Sequence, residues 1–213
     1  MKQIMFDDQK SYDDFGLKLL SYKPDPPTVK ENTDDNPGGD GIIDQTDWLG
    51  YPVYNNRHPE FTFDLHANDM NDMEDKLTRI LNALNGQVKK VYTGDGYYFE
   101  GRISVRAEPI NNFYEMVVIK INAYPYKLKN DETVVKVTAA SSEKTVTIKN
   151  EKMPAMPKIK TTGSVTLKLR GVTSTISSSG EYTAPDMLLL KGDNTVTYSG
   201  SGTITFTYRE GRF

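Results

Sequence analysis

A chain of 213 residues with 37% hydrophobic residues can bury one full core or two small ones, and its composition lies outside the disordered range. No cysteine is present, which excludes a disulfide framework, a thiolate metal site and a cysteine nucleophile. The net charge of -3 conceals two unlike parts: residues 1–126 carry 13 Lys and Arg against 21 Asp and Glu, whereas residues 127–213 carry 13 against 8.

The N-terminus, Met1 to Asp8, turns acidic before any signal-peptide core forms, and no apolar run approaches the roughly eighteen residues of a spanning helix. A soluble protein made in the cytoplasm, without a membrane partner, is the expectation. Ile4-Met5-Phe6-Asp7 reads as an opening strand. From Pro24 to Asn56 the pattern becomes irregular. Pro26-Pro27 cannot sit in a central strand, and the Asp/Asn/Gly run from Asn32 to Gly41 favours turns, so a long loop or arm is expected. Its second half holds the only tryptophan, Trp48, with Tyr51 and Tyr54, and Arg57 follows. These four residues form a candidate subunit-contact surface; a tryptophan tucked over its own sheet edge is the alternative reading.

Glu60 to His66, Tyr98 to Arg106 and Val117 to Ala123 have strand patterning. Between the first two, Met70, Met73, Leu77, Ile80, Leu81 and Leu84 recur at helical spacing, which predicts one helix over about 68–85. Asn68 or Asp69 supplies its cap and Asn85-Gly86 its left-handed stop. This helix is expected to bury all six residues across one face of the sheet. After Tyr126 the chain becomes rich in Thr, Val, Ser and Lys, with short strands predicted at 133–138, 145–149, 158–161, 165–170, 173–177, 187–190, 195–198 and 203–208. That pattern predicts a small antiparallel β-sandwich, with Gly200-Ser201-Gly202 as a hairpin turn. The lysines of this half are scattered singly, without interleaved aromatic residues, so a nucleic-acid partner is not expected.

No catalytic constellation emerges. His58 and His66 connect to no nucleophile and to no metal-ligand spacing. Asp44 with Asp47, or Glu60 with Asp64, are the pairs a glycosidase could use, but such pairs arise by chance among 29 acidic residues. The run from Asp34 to Asp40 fails the calcium-loop pattern, having Gly38 at its fifth position and Gln45 at its twelfth. Neither enzyme activity nor a cofactor or metal is therefore expected.

A series of short motifs carries a resemblance. Ile4-Met5-Phe6-Asp7 with Tyr12-Asp13-Asp14-Phe15-Gly16-Leu17, then Asp40-Gly41 with Asp44, then Tyr54 and Arg57 before Phe61-Thr62-Phe63, resemble the distal tail proteins of long non-contractile-tailed bacteriophages and prophages. Leu84-Asn85-Gly86, Gly96 to Arg102 and Ala123-Tyr124-Pro125-Tyr126-Lys127 follow in the same order, as do Met153 to Ile159, Leu190 to Asn194, Gly200-Ser201-Gly202 and Tyr208-Arg209-Glu210. The resemblance implies a mainly β protein in two domains. Residues 1–126 would form a β-sandwich with one helix that assembles into a hexameric ring, and residues 127–213 a small galectin-like sandwich. It further implies a non-enzymatic place at the virion tail tip, with the tail-tube protein and a tail-associated hub or lysin protein as partners. A carbohydrate-binding adhesion module for the host surface is the alternative function.

Overall fold

The computed structural model describes residues 3–111 and 113–213 and forms two compact units, the boundary falling between Lys127 and Leu128, with Phe213 grouped with the first. The first unit contains β1 (Met5–Phe6), β2 (Gln9–Lys10), β3 (Lys18–Lys23), β4 (Thr33–Asp35), β5 (Ile42–Asp44), β6 (Glu60–His66), α1 (Met70–Leu84), β7 (Val88–Tyr92), β8 (Tyr97–Asn111) and β9 (Tyr114–Ala123). Seven of these strands lie in one antiparallel path, β2-β1-β7-β8-β9-β6-β3. Period-two alternation places Val91, Phe99, Ile103, Ile119, Ile121, Phe61 and Phe63 in one buried cluster. The rings of Phe6 and Phe63 are 6.4 Å apart, although four strand steps separate β1 from β6. On a flat sheet that interval is about 19 Å. The sheet therefore curls over on itself, and one hydrogen-bonded path supplies both layers around the core.

Helix α1 closes this core. Asp69 caps it, its side chain accepting from the Asp72 amide at 2.9 Å, and Gly86 leaves it with φ of 75°. Met73, Ile80 and Leu84 are buried and Leu77 packs against them. Met70 and Leu81 are exposed, contrary to the six-residue stripe expected from sequence. At about 100° per residue these two share one margin of the stripe, beyond the arc that the curled sheet covers.

Strand β10 (Lys127–Lys129) begins at the boundary, and the second unit has β11 (Thr133–Thr138), β12 (Lys144–Asn150), β13 (Lys158–Thr161), β14 (Val165–Leu169), β15 (Val172–Ile176), β16 (Gly180–Thr183), β17 (Gly192–Gly200), β18 (Thr203–Tyr208) and β19 (Gly211–Arg212). Two four-stranded antiparallel sheets, β11-β18-β13-β16 and β12-β17-β14-β15, enclose Ile148, Ile159, Leu167, Val196, Ile204 and Phe206. This is the sandwich expected from sequence, with three local corrections. Residues 187–190 are not a strand: a 3-10 turn covers Pro185–Met187, and only an isolated bridge joins Leu189 to Ala155. Met187 and Leu189 are nevertheless buried, so the continuous apolar run reports burial without a ladder. Strand β16 arises in a Ser/Gly-rich stretch with almost no apolar signal. Finally, Gly200-Ser201-Gly202 is not a hairpin turn, because β17 and β18 belong to different sheets. It is a corner between sheets, where a side chain on Gly200 would meet the Ser164 carbonyl oxygen at 2.2 Å.

Asn194 organises one end of this sandwich. Its buried amide nitrogen donates to the carbonyls of Leu190 at 2.8 Å, Gly192 at 3.2 Å and Ile148 at 3.3 Å. Its oxygen accepts from the Leu190 amide at 2.9 Å and from Arg170 at 3.1 Å.

Candidate functional site

The segment leaving β3 is not irregular throughout. The amide of Asn55 donates to the Thr28 carbonyl at 2.9 Å, Val29 bridges Tyr54, and the amide of Lys30 donates to Val53 at 2.9 Å. Farther out the Gln45 amide donates to Asn32 at 2.8 Å, and β4 pairs with β5 from Thr33↔Asp44 to Asp35↔Ile42. The arm is thus a two-stranded ribbon. Turn residues between its two paired stretches put Trp48 and Leu49 at an outward bend, held by the Gly50 amide donating to Asp47 at 2.7 Å.

Two-stranded ribbons have too little core to bury their own side chains. Trp48 is 81% exposed, so it is not tucked over the sheet edge, and Leu49, Ile42 and Ile43 are exposed with it. Asp34, Asp35, Asp40, Asp44 and Asp47 belong to the same segment of the chain. The four residues singled out from sequence are not one surface. Trp48 stands at the bend and Tyr51 is half-buried nearer the base. The Tyr54 ring lies edge-on to Phe213 at 4.7 Å and to Tyr126 at 6.0 Å, and the Tyr126 hydroxyl is pushed up to about 12 by burial and the neighbouring tyrosines.

Arg57 departs furthest from a surface role. It is 4% exposed; its Nε donates to the Asp25 carbonyl at 2.7 Å and its guanidinium lies over Phe99 at 5.1 Å. Burial pushes its pKa down, against the fields of Tyr22 and Asp25. The backbone of Arg57 exchanges hydrogen bonds with Ala123 at 3.0 and 2.8 Å, and Asp25 also accepts from the His58 amide at 2.5 Å. Arg57 therefore ties both ends of the arm to the sheet. Its position just past the arm gave no sign of this, because the partner is a backbone carbonyl 32 residues earlier.

A second cation meets the same ring. Lys127 Nζ lies 4.9 Å from the Phe99 centroid, 2.5 Å from Asp95 Oδ2 and 2.8 Å from Thr93 Oγ1. Burial works to raise the Asp95 pKa, but the hydrogen bonds from Lys127 and Thr93 outweigh it and hold the carboxyl at about 2.

One of the carboxylate pairs weighed from sequence lies apart. Glu60 and Asp64 are four residues apart on β6, about 13 Å along a strand, beyond the separation two glycosidase carboxyls need. Asp64 is buried, with His66 Nε2 2.8 Å from its Oδ1. Asp44 accepts from the Thr46 amide at 2.9 Å, and the hydrogen bonds from the Thr46 side chain and backbone hold its pKa down. Of the second unit's rings, Tyr198, Phe206 and Tyr208 lie in the core, and the hydroxyl of half-buried Tyr182 is 2.8 Å from that of Ser178.

No protein-family model matches the chain, and no curated protein matches it. Among solved structures, the crystal structure of the SPP1 Dit protein (gp 19.1), described as a paradigm of the hub adsorption apparatus in Gram-positive infecting phages, is similar to it. The TM-score is 0.70 with 12% identity, over 100% of each chain. The likeness shows a shared fold extending through both units.

Proposed function

We propose that the chain is a non-enzymatic structural component of a bacteriophage or prophage tail tip, a distal tail protein whose copies form a ring between the tail tube and the hub proteins. The observation that carries this reading is the full-length fold likeness to the SPP1 hub protein, reached at an identity too low for local motifs to produce it. The arm adds a physical argument. An exposed Trp48-Leu49 bend on a ribbon anchored by Arg57 and Asp25 is a costly feature for an isolated monomer and a suitable one for reaching onto a neighbour. A ring joins unlike patches head to tail, and a projecting arm meets that requirement. Six copies, as the family resemblance implies, and a place at the virion tail tip belong to the same reading.

The carbohydrate-adhesion alternative finds little in the second unit, whose large rings face its own core; a pyranose needs an exposed ring to stack on. Light scattering with negative-stain imaging of the purified chain tests the proposal. A closed ring is expected, and a monomer persisting at concentrations of about 100 μM, alone and with tube protein, would refute it.

A further inference from the structure

A groove of about 250 Å³ lies between the start of α1 and the far end of the β8–β9 hairpin, lined by Met70, Met73, Leu77, Pro109, Ile110 and Glu115, among others. On its β8 side the hairpin outruns β7 there. Pairing of β7 with β8 stops at Val88↔Arg102, whereas β8 and β9 stay paired out to Asn111↔Tyr114. Its end is apolar and uncovered: Ile110 is 53% and Phe113 56% exposed, and Met70 opposite is 59% exposed. Pro109 on this edge removes one amide that could recruit a strand, so the contact it invites is through side chains.

One polar atom is left over. Glu115 Oε2 is closed off from solvent, and no donor among the described residues reaches it. Burial alone pushes this carboxyl's pKa up, with no cation beside it to bring it down. A buried carboxyl oxygen without a donor is destabilised, and an incoming N–H would relieve it. Glu74 on the groove wall adds a second carboxylate to the same place, while Asp72 at the helix start is paired with Lys76 at 3.0 Å.

We infer that this groove is the seat for an apolar segment of a different protein, which presents a lysine or arginine to Glu115. Charge selects the occupant. The arm of a second copy would bring Asp44 and Asp47 beside Trp48 and Leu49 into a groove already negative, so the contact that closes the ring uses another surface. Size selects a polypeptide over a small cation, because a small ligand leaves Ile110 and Phe113 in water. The inference goes beyond the ring reading by assigning an interface separate from the arm.

The test uses the full chain with methyl-labelled methionine, titrated with n-hexylammonium as a lysine side-chain mimic, n-hexanol and hexanoate. The Met70 and Met73 methyl signals are expected to saturate with the ammonium at about five- to tenfold lower concentration than with the alcohol, and hexanoate is expected to bind weakest. Glu115→Gln is expected to bring the ammonium and the alcohol within about twofold. An absent methyl shift, or a preference that survives Glu115→Gln, overturns the site. A hexapeptide alternating leucine and lysine is expected to bind more tightly than hexylammonium, and equal affinity overturns the protein occupant. Met70→Asp and Ile110→Asp, both at exposed positions, are expected to leave the mass by light scattering at the parent value. Loss of assembly in either makes the groove a contact between copies and overturns the inference; a monomeric parent refutes the ring and leaves the titration result standing.

Discussion

Replacing Asn194 by alanine removes five hydrogen bonds from one buried point of the second sandwich. The Leu190 amide loses the acceptor it has on the Asn194 side chain, and three carbonyls lose a donor. Each group left buried and unpaired costs about 1–3 kcal/mol, but the Leu190 to Gly192 loop borders solvent and part of it rehydrates, so a net loss of about 3 kcal/mol is expected. For a unit of this size that lowers the melting temperature by roughly 12–24 °C. Asn194→Asp separates packing from hydrogen bonding. It keeps the shape and the acceptor, but turns a second oxygen towards three carbonyls. Burial and three facing carbonyls raise its folded pKa above the unfolded value of about 3.9, against the single opposing pull of Arg170 at 3.1 Å. The charged form then opposes folding, and the deficit relative to wild type is full at neutral pH and shrinks as pH falls through the folded pKa. Melting by far-UV circular dichroism, with hydrogen exchange in peptides around residues 185–195, reads both variants. Losses below about 1 kcal/mol in both variants, or an Asp variant whose deficit ignores pH, would refute the reasoning.

Asp95, held at about 2 in the folded chain against 3.8, stabilises the first unit above pH 4, and that contribution disappears as pH falls from about 4 to about 2. The shift corresponds to about 2 kcal/mol at most, reduced to about 1 kcal/mol by solvent screening of a side chain that is 35% exposed. Acid titration of stability in Asp95→Asn is expected to lack this component, and an unchanged acid limb would count against the ion pair. On α1, Ile80→Ala is expected to cost about 2–5 kcal/mol and Leu81→Ala below about 0.5 kcal/mol in urea unfolding, since one is buried and the other sits at the exposed margin. Similar costs at the two positions would contradict the placement of the helix. Trp48→Ala is expected to change monomer stability by less than about 0.5 kcal/mol while weakening ring assembly, which sedimentation at matched concentrations measures. Undiminished assembly would remove Trp48 from the interface.

Local periodicity sufficed for much of the architecture. The spacing from Met70 to Leu84 placed α1 to within two residues at each end, and Glu60–His66, Thr133–Thr138, Lys158–Thr161 and Thr203–Tyr208 form strands at the bounds expected. Each of these elements is written in side chains three, four or two residues apart, a range over which the backbone geometry is fixed. The sequence also marked Pro24–Asn56 as a long loop or arm, because proline and the Asp/Asn/Gly run disfavour a central strand there. Partners distant in the chain decided the rest. Whether Gly200–Gly202 turned a hairpin or changed sheets depended on Ser164 and on the strands flanking it. Arg57 joined the core because Asp25 and Phe99 converge on it, and Trp48 stayed in solvent because a two-stranded ribbon offers it nothing to pack against. The unpartnered oxygen of Glu115 follows from where the start of α1 meets the end of the β8–β9 hairpin. Composition and spacing carry no information on such meetings, since the free energy that selects them comes from surfaces brought together only when the sheet curls.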